Sequence, residues 1–319
     1  NGNLIWSKLI QDSPSPYTYK IQFLSDGNIA VLTGSNNQKA TFITKLDPIS
    51  GSIIWQKEYP VIDLNGMQGN FMLAYSYQNN LMKIITSGGS EFEELWVNND
   101  GVVTSHKTIK ATNNVINRAT YADDGNLFDI FKGDKIPENG SVTYEGMVQK
   151  ININNGIATK LWSKYYGDFG GDDLFDNHVL KNNNIYIQGY YGGTSGFADP
   201  NKWILKLDMN GEVLWQNKQP ARKDFIYQGR DIKINDNNEL FCLMHEIYYP
   251  RYNAYDYTTL TKFSSNGNLI WMWKSAEDFN TERFGSNKVF ETNKNEFIIT
   301  GNKSGGVGSI WIKKMKVNE

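Results

Sequence analysis

The chain has 319 residues, a formal net charge of −2 and a single cysteine. Its cationic residues form no stripe, which argues against nucleic acid as a partner because that ligand needs a concentrated basic surface. The longest apolar runs are the length of strands, well short of the ~20 residues that cross a membrane as a helix. Cys242 lies in a strand-like run, which indicates a small buried side chain rather than a nucleophile.

The first predicted strand stands apart from the others. Residues 1–8 (NGNLIWSK) have no partner strand before them, and because the chain starts at Asn1 rather than at Met we expect that a leader has been removed. Residues 20–55 then contain four apolar runs, of which the first two are joined by Asp26-Gly27. This dipeptide between alternating runs predicts a tight hairpin, since both residues tolerate a positive φ.

The fourth run belongs to a motif that recurs along the chain and reads KLDPISGSIIWQK at 45–57. Related segments lie at 1–8, 206–218 and 262–274, and degenerate copies at 96–107 and 150–164. The turn glycines follow one another at gaps of 49, 50, 55, 55 and 56 residues: Gly2, Gly51, Gly101, Gly156, Gly211 and Gly267. Four short strands in each ~50-residue unit are typical of a β-propeller blade.

Two middle blades depart from the pattern. In the second, at about 70–106, Asn79-Asn80 forms a turn and Ser105 stands where other repeats have tryptophan, so we expect the least well packed outer edge there. The third carries an insertion at 132–143, and its Trp162 comes two residues late. That delay predicts a bulge or a slipped hairpin.

The sixth repeat lacks its last strand. Its third strand is SIWIKKMK at 309–316, and Glu319 follows before a fourth can form, whereas residues 1–8 have the missing sequence. We therefore predict one all-β domain over residues 1–319: a six-bladed β-propeller of four-stranded blades, with the ring closed by the N-terminal strand joining the C-terminal blade. An open seven-bladed array is the alternative.

Loop length distinguishes the two faces of the predicted ring. Turns between strands one and two and between strands three and four share one face and are tight, as at Asn210-Gly211 and Asn266-Gly267. The other connections share the opposite face and are long: 7–19, 56–69, 132–143, 163–174, 189–201, 216–228 and 244–257. We name these the short-turn face and the long-loop face. Binding residues usually lie on long loops of a rigid scaffold, so we predict recognition at the long-loop face and an inert short-turn face.

The motif of an apolar strand, Lys-Leu-Asp, a glycine turn and a tryptophan resembles the blades of PQQ-type quinoprotein propellers. It is more similar to repeat propellers of secreted and surface proteins of Bacteroidota, in which KLD, NG, LIW and K precede a GG and DD segment. Residues 202–218 and 162–189 match that form, with Asp172 and Asp173 as the acidic pair. The resemblance covers the whole chain and implies an exported or envelope location, with no catalytic residues.

No set of residues in the sequence has the spacing of a catalytic or metal site. His106, His178 and His245 fall on different blades, so we expect structural roles and neither metal nor cofactor. A quinoprotein needs cofactor and calcium ligands that converge from several blades. A sialidase-like hydrolase needs a cluster of arginines, whereas the five arginines here are widely separated in the sequence. Asp123-Asp124 and Asp172-Asp173 fit turns, although the second pair could also hold calcium.

Aromatic residues divide into two groups. The tryptophans of the repeats are expected to pack blade against blade: Trp6, Trp55, Trp162, Trp215 and Trp271. Tyrosines near an arginine on the long-loop face have the composition of an interface hot spot; the alternative is a loop folded onto its own aromatics. The predicted binding residues are Tyr190, Tyr191, Tyr248, Tyr249, Arg251, Tyr252, Tyr255 and Tyr257.

Three functions are consistent with these features. The first is a non-enzymatic extracytoplasmic propeller (periplasmic, outer-membrane associated or secreted) that binds another protein, within the envelope or type IX export machinery of a Bacteroidota-type bacterium. The second is glycan binding by the aromatic loops, and the third is an enzyme of unknown class. A glycan site would leave tyrosine faces open in a pocket, a protein site would form a broader patch, and an enzyme would need converging acid and base groups in the channel.

Overall fold

The computed structural model describes residues 2–10, 16–35, 40–60, 72–87, 91–111, 119–122, 126–135, 143–154, 157–167, 172–193, 201–220, 225–248, 255–275, 283–304 and 309–317. In these residues it contains twenty-four β-strands and no helix. The strands form six antiparallel four-stranded blades, of which two are joined into one eight-stranded sheet. The predicted all-β, six-bladed propeller is confirmed.

The first three blades are given from the innermost strand to the outermost. Blade 1 consists of β2 (Pro16–Phe23), β3 (Ile29–Ser35), β4 (Ala40–Leu46) and β5 (Ile53–Pro60). Blade 2 consists of β6 (Met72–Gln78), β7 (Leu81–Ser87), β8 (Glu91–Asn98) and β9 (Val103–Ala111). Blade 3 consists of β10 (Ala119–Tyr121), β11 (Leu127–Lys135), β12 (Thr143–Asn154) and β13 (Ile157–Tyr166).

The last three blades follow the same order. Blade 4 consists of β14 (Asp172–Lys181), β15 (Asn184–Gly193), β16 (Asn201–Asp208) and β17 (Val213–Gln219). Blade 5 consists of β18 (Phe225–Ile234), β19 (Leu240–Tyr248), β20 (Tyr255–Phe263) and β21 (Leu269–Lys274). Blade 6 consists of β22 (Arg283–Asn293), β23 (Glu296–Ser304), β24 (Ser309–Val317) and the N-terminal β1 (Gly2–Ile10).

Closure of the ring by the N-terminal strand is confirmed. β1 runs antiparallel to β24, with pairs from Gly2 opposite Val317 to Ile10 opposite Ile310. Ile10 is buried, and the indole N–H of Trp6 donates a hydrogen bond of 3.2 Å to the carbonyl of Pro48 in blade 1. Residues 2–10 therefore complete one blade and contact the next, as an interlocked ring requires.

The core lies between blades. Strands β2, β6, β10, β14, β18 and β22 each contact the next around the ring, so they line a central channel. The hydrophobic clusters join neighbouring blades; one packs Leu32 and Ile43 of blade 1 against Ile84 and Val97 of blade 2. Cys242 is fully buried in the cluster between blades 4 and 5, as predicted.

The repeat tryptophan packs on the turn glycine of the next blade. A β-carbon built on Gly267 would lie 2.7 Å from Cε3 of Trp215, and one built on Gly51 would lie 2.8 Å from Cε3 of Trp6. The indole N–H of Trp215 also donates a 3.1 Å hydrogen bond to the carbonyl of Ser265. The predicted blade-to-blade role of these tryptophans is confirmed, and the glycine is needed both for its φ of +81° and for contact with the indole.

Replacing Gly267 by alanine is expected to destabilise the protein more than the same change at Gly27. Both glycines have positive φ, +81° and +83°, but only Gly267 lies against an indole, whereas a β-carbon on Gly27 meets nothing within 4 Å. Backbone strain of ~1–2 kcal/mol is common to both variants, and displacement of Trp215 adds ~1–3 kcal/mol at Gly267 alone. Denaturant unfolding measures the difference, and equal losses would show that the tryptophan contact contributes little.

The contact between blades 2 and 3 differs from the others. Where Ser105 replaces tryptophan, β9 and β13 pair in parallel, with Ile157 opposite Lys110 and Ala158 opposite Ala111. The poorer packing expected at this edge stays a prediction. The bulge predicted at the delayed Trp162 is present. The same register shift occurs in the outer hairpins of all six blades, so the bulge by itself does not account for the delay. Its hairpin is longer, because Asn154 still pairs with Ile157.

Several predicted loops begin and end as strand. In the 132–143 insertion, β11 continues to Lys135, which pairs with Thr143, and in 244–257 the segment ends extend β19 and β20 until Tyr248 pairs with Tyr255. Cross-strand pairs of large side chains stabilise such extensions. The turn predicted at Asp124-Gly125 lies outside the described residues.

Candidate functional site

The innermost strands share an irregularity that positions polar groups in the channel. In five of them the pairing with the second strand skips one residue: Tyr19, Leu73, Asp176, Arg230 and Asn287. A bulge twists its strand and redirects nearby side chains. The residues that directly follow it are Lys20, Ala74, Asn177, Asp231 and Lys288. Equivalent positions of blades 5, 6 and 1 therefore carry an acid and two lysines.

Asp231 is the centre of a charged group that we name the channel cluster: Lys20, Asp231, Lys233 and Lys288. Lys233 Nζ lies 3.5 Å from Asp231 Oδ2, and Lys288 Nζ lies 3.4 Å from Oδ1. The amide of Val289 donates a 3.0 Å hydrogen bond to Oδ2. Burial alone would raise the pKa of Asp231, but the three ammonium groups and this amide hold it below its usual 3.8. The carboxylate is therefore charged and links blade 5 to blade 6.

Lys20 brings a further charge from blade 1. Burial, followed by the neighbouring charges of Lys233 and Lys288, holds the pKa of Lys20 well below its usual 10.5, although Asp231 acts in the opposite direction. Three lysines and one carboxylate from three blades thus meet at one level of the channel. A positive charge placed among other positive charges is costly. The sequence shows charged residues in the innermost strands of blades 1, 5 and 6, but it does not show that they meet at one level of the ring.

Other polar groups connect blades 4 and 5 beside the cluster. Asp176 Oδ2 accepts a 2.6 Å hydrogen bond from the amide of Gly229. The Arg230 guanidinium lies 3.2 Å from Nδ1 of His245 and contacts Gln228. Within the described ranges, no three His, Cys, Asp or Glu side chains are grouped to hold a metal ion.

A second feature lies at the long-loop end of blade 5. Phe225, Tyr248 and Tyr255 are paired in one register row of β18, β19 and β20, and the Phe225 and Tyr248 rings stack with centroids 4.8 Å apart. One row inward, Tyr227, Glu246 and Tyr257 are likewise paired. The pleat places alternate residues on the same side of the sheet, so the half-buried Phe225 and Tyr248 lie on the same side of blade 5 as the buried Tyr227 and Tyr257.

Lysines cover several of these rings. Lys274 Nζ lies 3.5 Å from the centroid of the Tyr257 ring, and Lys202 Nζ lies 4.5 Å from that of Tyr227. Both lysines pair with Glu246, at 3.6 Å for Lys274 and closer for Lys202. In blade 4, Lys218 Nζ lies 4.4 Å from the Tyr191 centroid. We name the half-buried members of these groups the aromatic–lysine surface: Tyr191, Lys218, Phe225, Tyr248 and Lys274.

The structure separates the predicted binding residues into three sets. Tyr190 and Tyr257 are 5% and 8% exposed, so they support the fold, and their assignment to a contact surface does not fit their burial. Tyr191 and Tyr248 are half-buried near strand ends. Tyr255 begins β20, while Tyr249, Arg251 and Tyr252 lie outside the described residues. Binding by these residues stays a prediction.

The acidic pair predicted in a turn lies in a strand. Asp172 is the first residue of β14, and Asp173 is fully buried, with Oδ1 accepting a 2.7 Å hydrogen bond from the amide of Gly192. The Asp173 and Glu145 carboxylates both approach Gly167, where a β-carbon would lie 2.1 Å from each. Strand pairing with Gly193 and this buried bond explain Asp172-Asp173, so turn chemistry was the wrong reason.

Sequence reasoning also missed where apolar side chains are exposed. In the described part of the chain, the exposed large hydrophobic residues all lie on the outermost strands or in the turns leading into them. The aliphatic residue before each repeat tryptophan is among them, as with Leu161 at 55% and Leu214 at 52% exposure. These residues occupy the bulge of each outer hairpin, which turns them away from the neighbouring blade.

Comparison with known proteins shows the fold. No protein-family model and no curated protein sequence matches the chain. A solved structure of a DUF4221 family member from Bacteroides vulgatus has 11% identity and a TM-score of 0.55, covering 100% of this chain and 99% of that one. A protein of unknown function from Dyadobacter fermentans has 10% identity and a TM-score of 0.61, covering 99% of both. The chain thus shares its propeller architecture with proteins of Bacteroidetes, and identities this low concern the fold alone.

The similar solved structures include an enzyme. An endo-arabinase from Bacteroides thetaiotaomicron has 11% identity and a TM-score of 0.47, over 81% of this chain and 98% of that one. A likeness of that size supports no statement about activity. Among the described residues, no helix is both long and apolar enough to cross a membrane.

Proposed function

We propose that this chain is a non-enzymatic, extracytoplasmic β-propeller that binds another protein through the aromatic–lysine surface of its long-loop face. The observation that carries the proposal is the placement of half-buried aromatic rings and lysines at rigid strand ends: Phe225 and Tyr248 stack at 4.8 Å beside Lys274. Aromatic side chains held by a scaffold lose little entropy on binding and dominate protein interfaces.

The lysines favour a protein partner over a glycan. A sugar ring stacks on an open aromatic face, but the faces of Tyr191, Tyr227 and Tyr257 each lie under an ammonium group of this chain. What remains at the surface is a mixture of ring edges and positive charge. Such a surface suits a protein partner with acidic and apolar side chains.

The charged groups of the channel support a role without catalysis. Asp231, whose pKa is lowered, is held by lysines and by the amide of Val289, so it is not poised as a general acid or base near neutral pH. His245 contacts Arg230, and the buried thiol of Cys242 has a raised pKa because of burial. A thiol of that kind is a poor nucleophile.

The proposed location is the cell envelope or exterior of a Bacteroidota-type bacterium, and the proposed partner belongs to the envelope or type IX export machinery. The repeat sequence supports this location through its resemblance to exported propellers. The fold likeness to proteins from Bacteroides vulgatus and Dyadobacter fermentans is consistent with such an origin.

Replacing Tyr248 by alanine is expected to weaken partner capture by tenfold or more, because a truncated aromatic anchor costs ~2 kcal/mol at an interface. The triple change of Tyr249, Arg251 and Tyr252 to alanine should have a similar effect. The assay is affinity capture from an envelope extract of the source organism, with the recovered protein identified and quantified by mass spectrometry.

The matched control is Tyr165→Ala, which removes a tyrosine that is 44% exposed on the outer strand of blade 3. It should retain capture, and all variants should keep the circular dichroism of the wild type. Equal capture by the Tyr248 and Tyr165 variants would refute the assigned surface. Binding of purified protein to oligosaccharides that the Tyr248 change abolishes would favour the glycan alternative.

A further inference from the structure

We propose that two copies of this chain form a dimer through β21, the outermost strand of blade 5, whose exposed side chains pack against their counterparts across a two-fold axis. Leu269, Ile270 and Met272 are 50%, 46% and 41% exposed, so three large apolar side chains lie at the surface within four residues. Contiguous exposed apolar side chains mark interaction sites. The dimer does not rest on the protein-binding function proposed above, because it needs none of the aromatic rings of that surface.

The other repeats of the chain show that blade 5 is exceptional. In five blades the residue after the repeat tryptophan position is polar and exposed: Ser7, Gln56, His106, Ser163 and Gln216. In blade 5 this residue is Met272. The next position holds lysine or asparagine in those five blades, whereas blade 5 has Trp273. The outer strand of blade 5 therefore lacks polar side chains at two successive positions where every other blade has them.

The two sides of β21 have different surroundings. Trp271 and Trp273 pack against the hydrophobic cluster between blades 5 and 6. Ile270 and Met272 alternate with them along the strand, so they lie on the opposite side, where both are exposed. One side of the strand thus belongs to the core of the ring, and the other side presents apolar groups to a partner.

The backbone of β21 is also an open edge. β21 is the last strand of the blade 5 sheet, and among the described residues no strand pairs with it on the side away from β20. Its pairing with β20 is regular from Trp271 to Lys274, so the edge there is extended. Proteins usually protect such edges with charged side chains, and residues 269–273 carry no charge. The pairing of β9 with β13 shows that an outermost strand of this ring accepts another strand at its free edge.

A second copy is the occupant that the composition and the charges favour. The exposed Leu269, Ile270 and Met272 offer no charge by which to select a different partner, and each copy supplies the same apolar set to the other. In an antiparallel pair of β21 strands centred on Met272, Trp271 lies opposite Trp273 and Ile270 lies opposite Lys274, so no like charges meet. The net charge of −2 adds little repulsion between two chains of this size. Contact through one self-complementary surface closes as a two-fold dimer.

Sedimentation equilibrium of the purified chain, from micromolar to submillimolar concentration, measures the association. We expect twice the mass of one chain at high concentration and dissociation on dilution. Met272→Lys places two ammonium groups at the two-fold axis and should raise the dissociation constant by about a hundredfold or more. Met272→Gln, which introduces the residue found at this position in blades 1 and 4, should raise it by about tenfold. Both variants should keep the wild-type circular dichroism, because Met272 is exposed.

The matched control is Gln216→Lys, at the equivalent exposed position of blade 4, which should dimerise as the wild type does. Met272→Cys should form a covalent dimer under mild oxidation and Gln216→Cys should not, since the native Cys242 is buried. A wild type that is monomeric at every concentration would overturn the proposal, even if another protein's strand binds to β21. A dimer that persists unchanged in Met272→Lys would place the contact elsewhere and would overturn it as well.

Discussion

Removal of residues 1–10 is expected to open the propeller and cause aggregation. The truncation deletes β1, which pairs with β24 along its length, and exposes an unpaired edge there. It also removes Ile10, which is 1% exposed, and Trp6, which packs on Gly51 of blade 1. Loss of two such side chains costs ~5 kcal/mol or more, and a melting temperature lower by roughly 10 °C or more follows for a protein of this size.

A peptide supplied in trans makes the truncation experiment specific. A synthetic peptide of residues 1–10 should restore the monomer and its melting temperature, as a donated strand does at an open sheet edge. The same peptide with Trp6→Ala should restore much less. Leu9→Ser in the full chain is the matched control, since Leu9 is 49% exposed. A truncated protein that stays monomeric and melts like the wild type would contradict closure by β1.

Asp231→Ala is expected to cost ~3–5 kcal/mol, the loss typical of removing one member of a buried ion pair. The change leaves Lys20, Lys233 and Lys288 without their shared carboxylate and the amide of Val289 without its acceptor. Because like charges then face one another, adding Lys20→Met to Asp231→Ala should recover part of the loss. Denaturant unfolding of the two single variants and the double variant measures this coupling.

The control for this prediction is Asp236→Ala, which removes a fully exposed partner of Lys181 and should change stability little.

The pH dependence of the stability difference between wild type and Asp231→Ala is a second test. Since the pKa of Asp231 is below 3.8 in the folded protein, its contribution is complete above about pH 4 and disappears as pH falls through the folded pKa. The difference between wild type and Asp231→Ala should therefore shrink in acid, and a difference independent of pH would contradict a charged role.

The repeat made the architecture predictable from sequence. Turn glycines such as Gly211 and Gly267 mark the outer hairpin of each unit, and the sixth unit lacks a strand that residues 1–8 match. The glycines follow from local backbone geometry, and the missing strand follows from the number of strands in each repeat. Both can therefore be recognised without knowledge of tertiary contacts. The tryptophan positions were predictable for the same reason, although the partner that each indole contacts, the turn glycine of the next blade, appears only in the folded ring.

The channel cluster and the exposed aliphatic residues were not predictable in this way. A register skip in one strand of a pair leaves no fixed sequence signature. This skip places Lys20 of blade 1 and Asp231 of blade 5 at equivalent positions in their innermost strands. The same effect in the outer hairpins exposes Leu161 and Leu214 within runs that look like core. Strand length was also underestimated, because cross-strand aromatic pairs such as Phe225 and Tyr248 extend blade 5 into what composition indicated was loop.

Site-specific photo-crosslinking tests the recognition surface most directly. A photoreactive phenylalanine analogue is placed at Tyr248 or, as a control, at Tyr165, and the source cells are irradiated before their envelope proteins are analysed. With Tyr248 half-buried at the end of β19, we expect a discrete crosslinked protein from that position and none from Tyr165. No crosslinked protein at position 248, or the same product from both positions, would contradict protein binding through the aromatic–lysine surface.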